Sequence, residues 1–261
     1  MDFYGDYHTH TDKSDAKQGL SELVQAARNK GLKEVAITDH GPLAAVIGVK
    51  SPQTYLGLKD DIELINQEHE DIAVLLGAEA NIRDVAGNLD IEKAIIKELD
   101  ILIAGLHPYT LPTSIDDGYK IFVQNSLRHL SKNHREKAIT NNTKACVSAI
   151  ENNPDLDILA HPGLFFKVDI PEVARACIRG EVLFEINCGH KHPPISDIIK
   201  ADKLGVSFIV NSDAHFTESV GNLEYGSKVM KKLAIEEQVV NTYSKGGHST
   251  WKKKAKTYTY S

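Results

Sequence analysis

A short apolar run followed by a helical stretch recurs along this chain, and that alternation limits its possible folds more than any other feature. The runs fall at 3–8, 34–38, 72–78, 99–106, 156–160, 182–187 and 206–211, and most are rich in Val, Ile and Leu. In the first intervening segment Leu20, Leu23, Val24 and Ala27 repeat at i, i+3, i+4, i+7, and Gly31 supplies the stop. Further helical patterns cover 54–68, 91–98, 171–179, 194–203 and 223–233, with Gly205 ending the unit at 194–203. Strands that alternate with helices are parallel, because a parallel pair needs a crossover connection. Such a succession over 261 residues suits a closed α/β barrel better than a doubly wound sheet. A doubly wound sheet would usually carry a Gly-rich phosphate turn after its first strand. Neither GxGxxG nor GxxxxGK[ST] occurs.

The stretch 110–153 is too long for one crossover. It reads as helical over 119–130 and 134–150, an insertion expected to cap one end of a single domain spanning 1–261. Hydrophobic residues make up 41% and charged residues 25%, which excludes a disordered chain. Lys and Arg number 30 against 36 Asp and Glu, and the resulting −6 argues against nucleic-acid binding by bulk charge. Cys146, Cys177 and Cys188 stand apart with no CxxC pair, so neither a disulfide framework nor a thiolate zinc knuckle is expected. No apolar run reaches membrane-span length, and MDFYGDYHTH lacks the basic start and apolar stretch of a signal peptide. The expected setting is therefore reducing and cytoplasmic, with no membrane partner. Trp251 to Tyr260 is a basic, aromatic tail within 245–261, expected to be a solvated terminus.

The distinctive residue is histidine, of which there are 12. His8 and His10 follow the first run, with Asp15 in the next loop, and Asp39-His40 follows the second. Glu79 follows the third, His107-Pro108 the fourth, His161-Pro162 the fifth, and Asp213-Ala214-His215 the last. In a βα barrel the carboxyl ends of the strands are where sites are built, so residues far apart in sequence would converge there. Residues i and i+2 of an extended chain share a face, so His8 and His10 can aim into one site, as can Asp213 and His215. Each fragment alone has an ordinary explanation, such as a helix cap, a turn or a salt bridge. Together at one rim they would bury many polar groups at high cost unless a metal satisfied them. Imidazole and carboxylate donors without thiolate suit zinc, manganese or iron, and there are enough donors for two or three ions.

These pieces resemble the PHP family (polymerase and histidinol phosphatase), especially its stand-alone phosphoesterases. The matching motifs are YHTHTDKSD at 7–15, VAITDHG at 35–41, LGAEANI at 76–82, LIAGLHP at 102–108, LAHPG at 159–163, FEIN at 184–187 and NSDAH at 211–215. Their order and strand-end placement extend the likeness over nearly the whole chain. The resemblance implies a distorted seven-stranded (βα)7 barrel with a trinuclear metal site at the C-terminal ends of the strands. It implies that His8, His10, Glu79 and Asp213 hold a first ion. Glu79 would bridge to a second ion held with His107 and His161, and Asp15, His40 and His215 would hold a third. The implied activity is hydrolysis of a small-molecule phosphate monoester by a hydroxide bridging two ions, with Glu79, Asp213 and His215 as catalytic residues. The EANI and GLHP contexts look closest to the small single-domain phosphatases, and the Cys-containing N-terminal signature common in histidinol-phosphate phosphatases is absent.

Arg83, Asn187, His190 and Lys191 are candidate substrate contacts, Arg83 as a phosphate-binding guanidinium and the others at the mouth of the barrel. Two other hydrolase readings compete. An amidohydrolase-type enzyme also starts with HxH after its first strand, but it usually needs a metal-bridging lysine on the fourth, where this chain has His107. A phosphodiesterase or nuclease would call for a basic groove, which the −6 balance does not favour.

Overall fold

The strands form where β-branched and leucine runs meet on a surface buried from both sides. The computed structural model describes residues 2–252. Its strands are β1 (Gly5–Thr9), β2 (Glu34–Ile37), β3 (Ala73–Asn81), β4 (Ile101–Gly105), β5 (Ile158–Leu159), β6 (Leu183–Asn187) and β7 (Phe208–Asn211). All successive pairs are parallel, in the order β1 to β7, as the alternation requires. The crossover helices are α1 (Leu20–Asn29), α2 (Gln53–Glu68), the short α3 (Lys93–Ile96), then α4 (Ile115–Gly118), α5 (Gln124–Leu127) and α6 (Lys132–Asn152) in one connection, followed by α7 (Ile170–Gly180) and α8 (Ile195–Asp202). After β7 come α9 (Glu224–Leu233) and α10 (His248–Trp251). None of these helices is long and apolar enough to cross a membrane.

The barrel closes imperfectly, and side chains do much of the closing. Between β7 and β1 the backbone makes only an isolated parallel bridge, Thr9 to Ala214. The rest of the seam is polar. Tyr7 N–H donates to Asn211 Oδ1 at 3.1 Å, and Ser212 N–H donates to Asp6 Oδ1 at 3.0 Å. Asn241 donates to the carbonyls of Gly5 (3.1 Å) and Val210 (2.7 Å) and accepts from Val210 N–H. A wedge of this kind satisfies strand-edge groups that a full ladder would otherwise pair. The register between β1 and β2 also shifts between Asp6 and Thr9. Such irregularities bend a strand and re-aim its side chains, here in the strand that carries His8.

The two-residue period separates the barrel interior into layers. Ile103, Gly105 and His107 follow one face; so do Leu183, Glu185 and Asn187, and likewise Ile209, Asn211 and Asp213. The N-terminal members, with Tyr7, Ala36, Ile101 and Ile158, pack as a buried apolar plug. The C-terminal members are polar and stand above it. A fully buried floor under a polar rim keeps water out from below.

The insertion departs from the expected cap. α6 is itself the crossover between β4 and β5: Ala138, Asn142, Ala145, Cys146, Ala149 and Ile150 recur at helical spacing and are buried, and the apolar members from Ala145 onward pack into the main core with α7. Only α4, the π-helical turn Tyr119–Val123 and α5 are additional. The tail also departs from its expected solvation where it is described. Trp251 meets the ring of Tyr7 edge-on at 5.0 Å and packs against the apolar plug. An indole has a large apolar area to bury, which outweighs the charge of its neighbours. The Lys-rich remainder, 253–261, lies outside the described residues.

Candidate metal centre

The side chains that follow the strands meet at the rim. His8, His10 and Glu79 are completely buried, and His40, His107, His161 and Asp213 nearly so; Asp15 and His215 are partly open to solvent. Four atoms cluster first. His8 Nε2 lies 3.3 Å from Glu79 Oε2 and 3.5 Å from Asp213 Oδ1, while His10 Nε2 lies 3.6 Å and 3.2 Å from the same two oxygens. Donors about 2.0–2.1 Å from a common tetrahedral centre stand roughly 3.3–3.4 Å apart, so this spacing fits a tetrahedral divalent-metal shell. A second triangle has Glu79 Oε1, His107 Nε2 and His161 Nε2 as corners, with edges of 3.2, 2.9 and 3.3 Å. The third group gathers His10, Asp15, His40 and His215, with Asp15 Oδ1 at 3.2 Å from His215 Nε2 and 3.8 Å from His40 Nε2. Glu79 joins the first two groups through its two oxygens.

Much of this polar surface has no hydrogen-bond partner among the described residues. His8 Nε2 and both ring nitrogens of His10 are buried without one, and His40 Nδ1 and Glu79 Oε2, though 2.9 Å apart, do not meet in hydrogen-bond geometry. Orphaned buried polar atoms are rare in folded chains and expensive, and a set of them aimed at shared points fits divalent cations. Charge leads to the same fit. Asp15, Glu79, Asp213 and Glu185 stand close together, and the ion pairs found for them among the described residues are with histidines. Burial opposes ionisation of Glu79, yet His8, His107 and His40 around it hold its carboxyl well below the usual range. Burial likewise opposes charge on His8, and Glu185, Asp213 and Glu79 override it, pushing that ring well above its ordinary value. An environment that holds a proton this firmly also favours a metal cation at the same nitrogen. His10 is different. Burial, then His40 and His215, stacked against it at 4.5 and 4.4 Å, bring it down to about 3, so it stays a neutral donor.

The histidines are oriented from behind. His8 Nδ1 donates to Glu185 Oε1 at 2.7 Å, His107 Nδ1 to Asn81 Oδ1 at 2.7 Å, and His215 Nδ1 to the Asp213 carbonyl at 2.9 Å. In each case the proton sits on Nδ1 and the Nε2 lone pair faces inward, as metal-binding imidazoles require. The Asn81 amide is itself fixed, because its Nδ2 donates to Asp90 Oδ2 at 2.6 Å. Gly105 lies where a Cβ would come within 2.9 Å of both His107 and His161, so the two rings occupy space that a side chain there would take. His161 and Asp213 have positive φ, 28° and 55°. Strained backbone of this kind, about 1–3 kcal/mol per residue, collects at functional sites.

Sequence reasoning passed over Glu185, Asn81 and Asp90. Glu185 is fully buried, and besides His8 it accepts from His161 N–H, Asn187 Nδ2 and Asn211 Nδ2. A signal was present: an acid in the middle of an otherwise apolar strand, two positions before Asn187. The four candidate substrate contacts fall in different places. Asn187 is fully buried, donating to Glu185 and Asp213 at 3.1 and 3.0 Å. His190 stands at the mouth, with Nε2 at 3.5 Å from Asp213 Oδ2, and Lys191 beside it is exposed. Arg83 directs Nε to the Leu111 carbonyl at 3.0 Å and so ties down the start of the insertion.

The PHP domain profile matches residues 6–183. A probable phosphatase of Thermoanaerobacter sp. (strain X514) is 33% identical over 246 residues, covering 90% of this chain and 88% of that protein. A probable phosphatase of Clostridium acetobutylicum is 30% identical over 258 residues, covering 94% of this chain and 93% of its own. Among solved structures, histidinol phosphate phosphatase from Lactococcus lactis, complexed with zinc, L-histidinol and phosphate, superposes with a TM-score of 0.61 at 19% identity, covering 89% of this chain and 94% of that one. At that identity the likeness is one of fold, and it agrees with the seven parallel strands described above. By the extent of the profile match and the identity to these relatives, the chain belongs to the PHP domain family.

Proposed function

We propose that this protein is a metal-dependent phosphoesterase that hydrolyses a small-molecule phosphate monoester at a trinuclear centre. The observation that carries the reading is the set of buried, unpartnered imidazole and carboxylate atoms at coordination-shell spacing. In this reading His8, His10, Glu79 and Asp213 hold one cation, Glu79, His107 and His161 a second, and Asp15, His40 and His215 a third. Divalent cations there supply Lewis acidity, lowering the pKa of a bound water from about 15.7 towards ~7 and offsetting phosphoryl charge as it shifts to the leaving oxygen.

The remaining work falls to the chain itself. Glu79 spans two groups and fixes their separation. Asp213 orients His215 through its carbonyl while its carboxylate faces His8 and His10. Glu185 and Asn81 hold the protons of His8 and His107 on Nδ1. His190 and Lys191, at the open side, contact the substrate, and Asn187 keeps the mouth in place by accepting from His190 N–H at 2.9 Å. Arg83 serves substrate binding indirectly, by holding the Leu111 segment. The depth of the donors supports a monoester, since a terminal phosphoryl group reaches buried atoms that a phosphate within a polymer does not. Relatives named as probable phosphatases support the reaction class.

The test is hydrolysis of p-nitrophenyl phosphate and bis(p-nitrophenyl) phosphate by purified protein, stripped with chelator and reloaded with zinc, manganese or iron(II). The expected result is chelator-sensitive turnover that favours the monoester. A preference for the bis-ester would overturn the monoester assignment. Full activity in metal-free protein would overturn the mechanism.

A further inference from the structure

A second cavity, largely apolar and rimmed by cations, adjoins the candidate centre. It has a volume of about 380 Å³ and is lined by Asn125, Arg128, Arg135 and Lys167 on its polar side and by Leu164 and Phe165 on its apolar side. Among the described residues no Asp or Glu lines it, in a chain whose net charge is −6. Among the described residues, Arg128, Arg135 and Lys167 have no carboxylate within ion-pair distance. Arg128 is braced by donating to the Asn125 carbonyl at 2.7 Å. Surface cations usually find a partner or disperse; here the exposed Arg135 and Lys167, with the braced Arg128, set unpaired positive charge around a largely apolar concavity, which favours an anion.

The cavity and the centre share a wall. The Phe165 ring lies 5.7 Å from His107, 5.6 Å from His161 and 6.0 Å from His190, centroid to centroid. His161 and Lys167 belong to one short segment, tightened where Leu164 N–H donates to the His161 carbonyl at 3.0 Å. A ligand crossing Phe165 would therefore meet metal donors at one end, an aromatic face in the middle and guanidinium or ammonium groups at the other.

We infer that this cavity is the specificity pocket of the same site, and that the preferred substrate is a phosphate monoester bearing a second anionic group on an apolar or sugar-like spacer. The inference rests on the phosphoesterase reading and gives the α5–α6 corner of the β4–β5 connection a role. Arg135 and Lys167 bind the distal anion, Phe165 packs on the spacer, and the proximal phosphoryl group enters the metal centre. A confined cavity, as opposed to a long groove, suits one terminal anion better than a nucleic-acid backbone.

The test uses α,ω-alkanediol monophosphates and bisphosphates of increasing spacer length, with p-nitrophenyl phosphate as reference. In the unaltered protein kcat/KM for a bisphosphate should exceed that for the monophosphate of equal length by about tenfold or more at one optimal spacer, mostly through KM. In the double variant Arg135→Gln/Lys167→Gln that ratio should collapse towards one, and Arg135→Lys/Lys167→Arg should restore most of it. Absence of hydrolysis of p-nitrophenyl phosphate under any metal would instead dismiss the underlying phosphoesterase reading. If p-nitrophenyl phosphate is hydrolysed but bisphosphates show no preference, or the preference survives in the double variant, the pocket assignment is wrong. Weakened inhibition by a short oligothymidylate in the double variant, without loss of bisphosphate preference, would overturn it in favour of nucleic acid.

Discussion

Replacing Glu185 by Gln tests the idea that the candidate centre is held from behind. Each carboxylate oxygen of Glu185 accepts two hydrogen bonds: Oε1 from His8 Nδ1 and Asn211 Nδ2, Oε2 from His161 N–H and Asn187 Nδ2. Glutamine retains one acceptor oxygen, so two of the four bonds are lost whichever way the amide turns. Bonds to a charged acceptor contribute about 1.5–3 kcal/mol each, giving a loss of roughly 3–6 kcal/mol, reduced because a buried charge is also removed. The low end, about 3 kcal/mol in urea unfolding, is the expected figure. The tautomer effect is separate. If the amide NH₂ faces His8, it donates to Nδ1, the imidazole proton moves to Nε2, and that proton points at Glu79 and Asp213. If it faces His161 N–H, the carbonyl side of β5 loses its anchor. Either outcome should weaken metal retention about 10–100-fold, measured as bound metal per protein against a graded chelator. Excess metal should restore turnover, which a general collapse of the fold would prevent. A Glu185→Gln protein that holds metal as tightly as the unaltered one would refute the reasoning.

Three other outcomes follow from the same geometry. Glu79→Gln should lose most bound metal and at least about a thousandfold in kcat on p-nitrophenyl phosphate, because both oxygens of Glu79 face histidine nitrogens and an amide offers only one acceptor. Stripping metal with chelator should lower the melting temperature by about 5–10 °C, recoverable on reloading, since a ligand at about a hundred times its Kd adds ~2.7 kcal/mol to a chain of this size; an unchanged melting curve at zero metal content would count against a cation-filled site. Burial pushes the Cys146 and Cys188 thiols up to about 12, so at pH 8 both are protonated and unreactive in the folded protein. Mass spectrometry after iodoacetamide treatment should find neither modified until urea is added.

The parts of this molecule that the sequence reveals are those that obey a period. Strand order and parallel pairing follow from alternation, and the rim follows from period-two faces meeting at one end of a barrel. What escapes is set by contacts between distant segments. The β7–β1 seam depends on Asp6, Asn211 and Asn241, three polar residues whose spacing in sequence says nothing of their meeting. β5 is only Ile158–Leu159, too short for any propensity to mark its ends. α6 read as a cap because the insertion's length hid the crossover inside it. Trp251 read as solvated because four nearby lysines dominate the composition of its segment.

Glu185 shows the same limit within the site. A motif search for metal donors rewards residues that follow strands, where a side chain faces the open rim, and Glu185 lies one layer deeper, inside β6. Its contribution passes through His8 and His161, so no motif of donors beside it on the chain marks a role. The physical signal is energetic: a carboxylate with zero exposure, amid Leu183, Phe184 and Ile186, is untenable unless several donors converge on it. The burial expected of a barrel strand is enough to require that the partners of Glu185 come from other strands at the same height. β1 and β7, with the residues just after β5, are where those partners stand. An acid in the interior of a barrel strand is therefore as informative about a metal centre as a histidine at its end, because the first fixes the proton on the second.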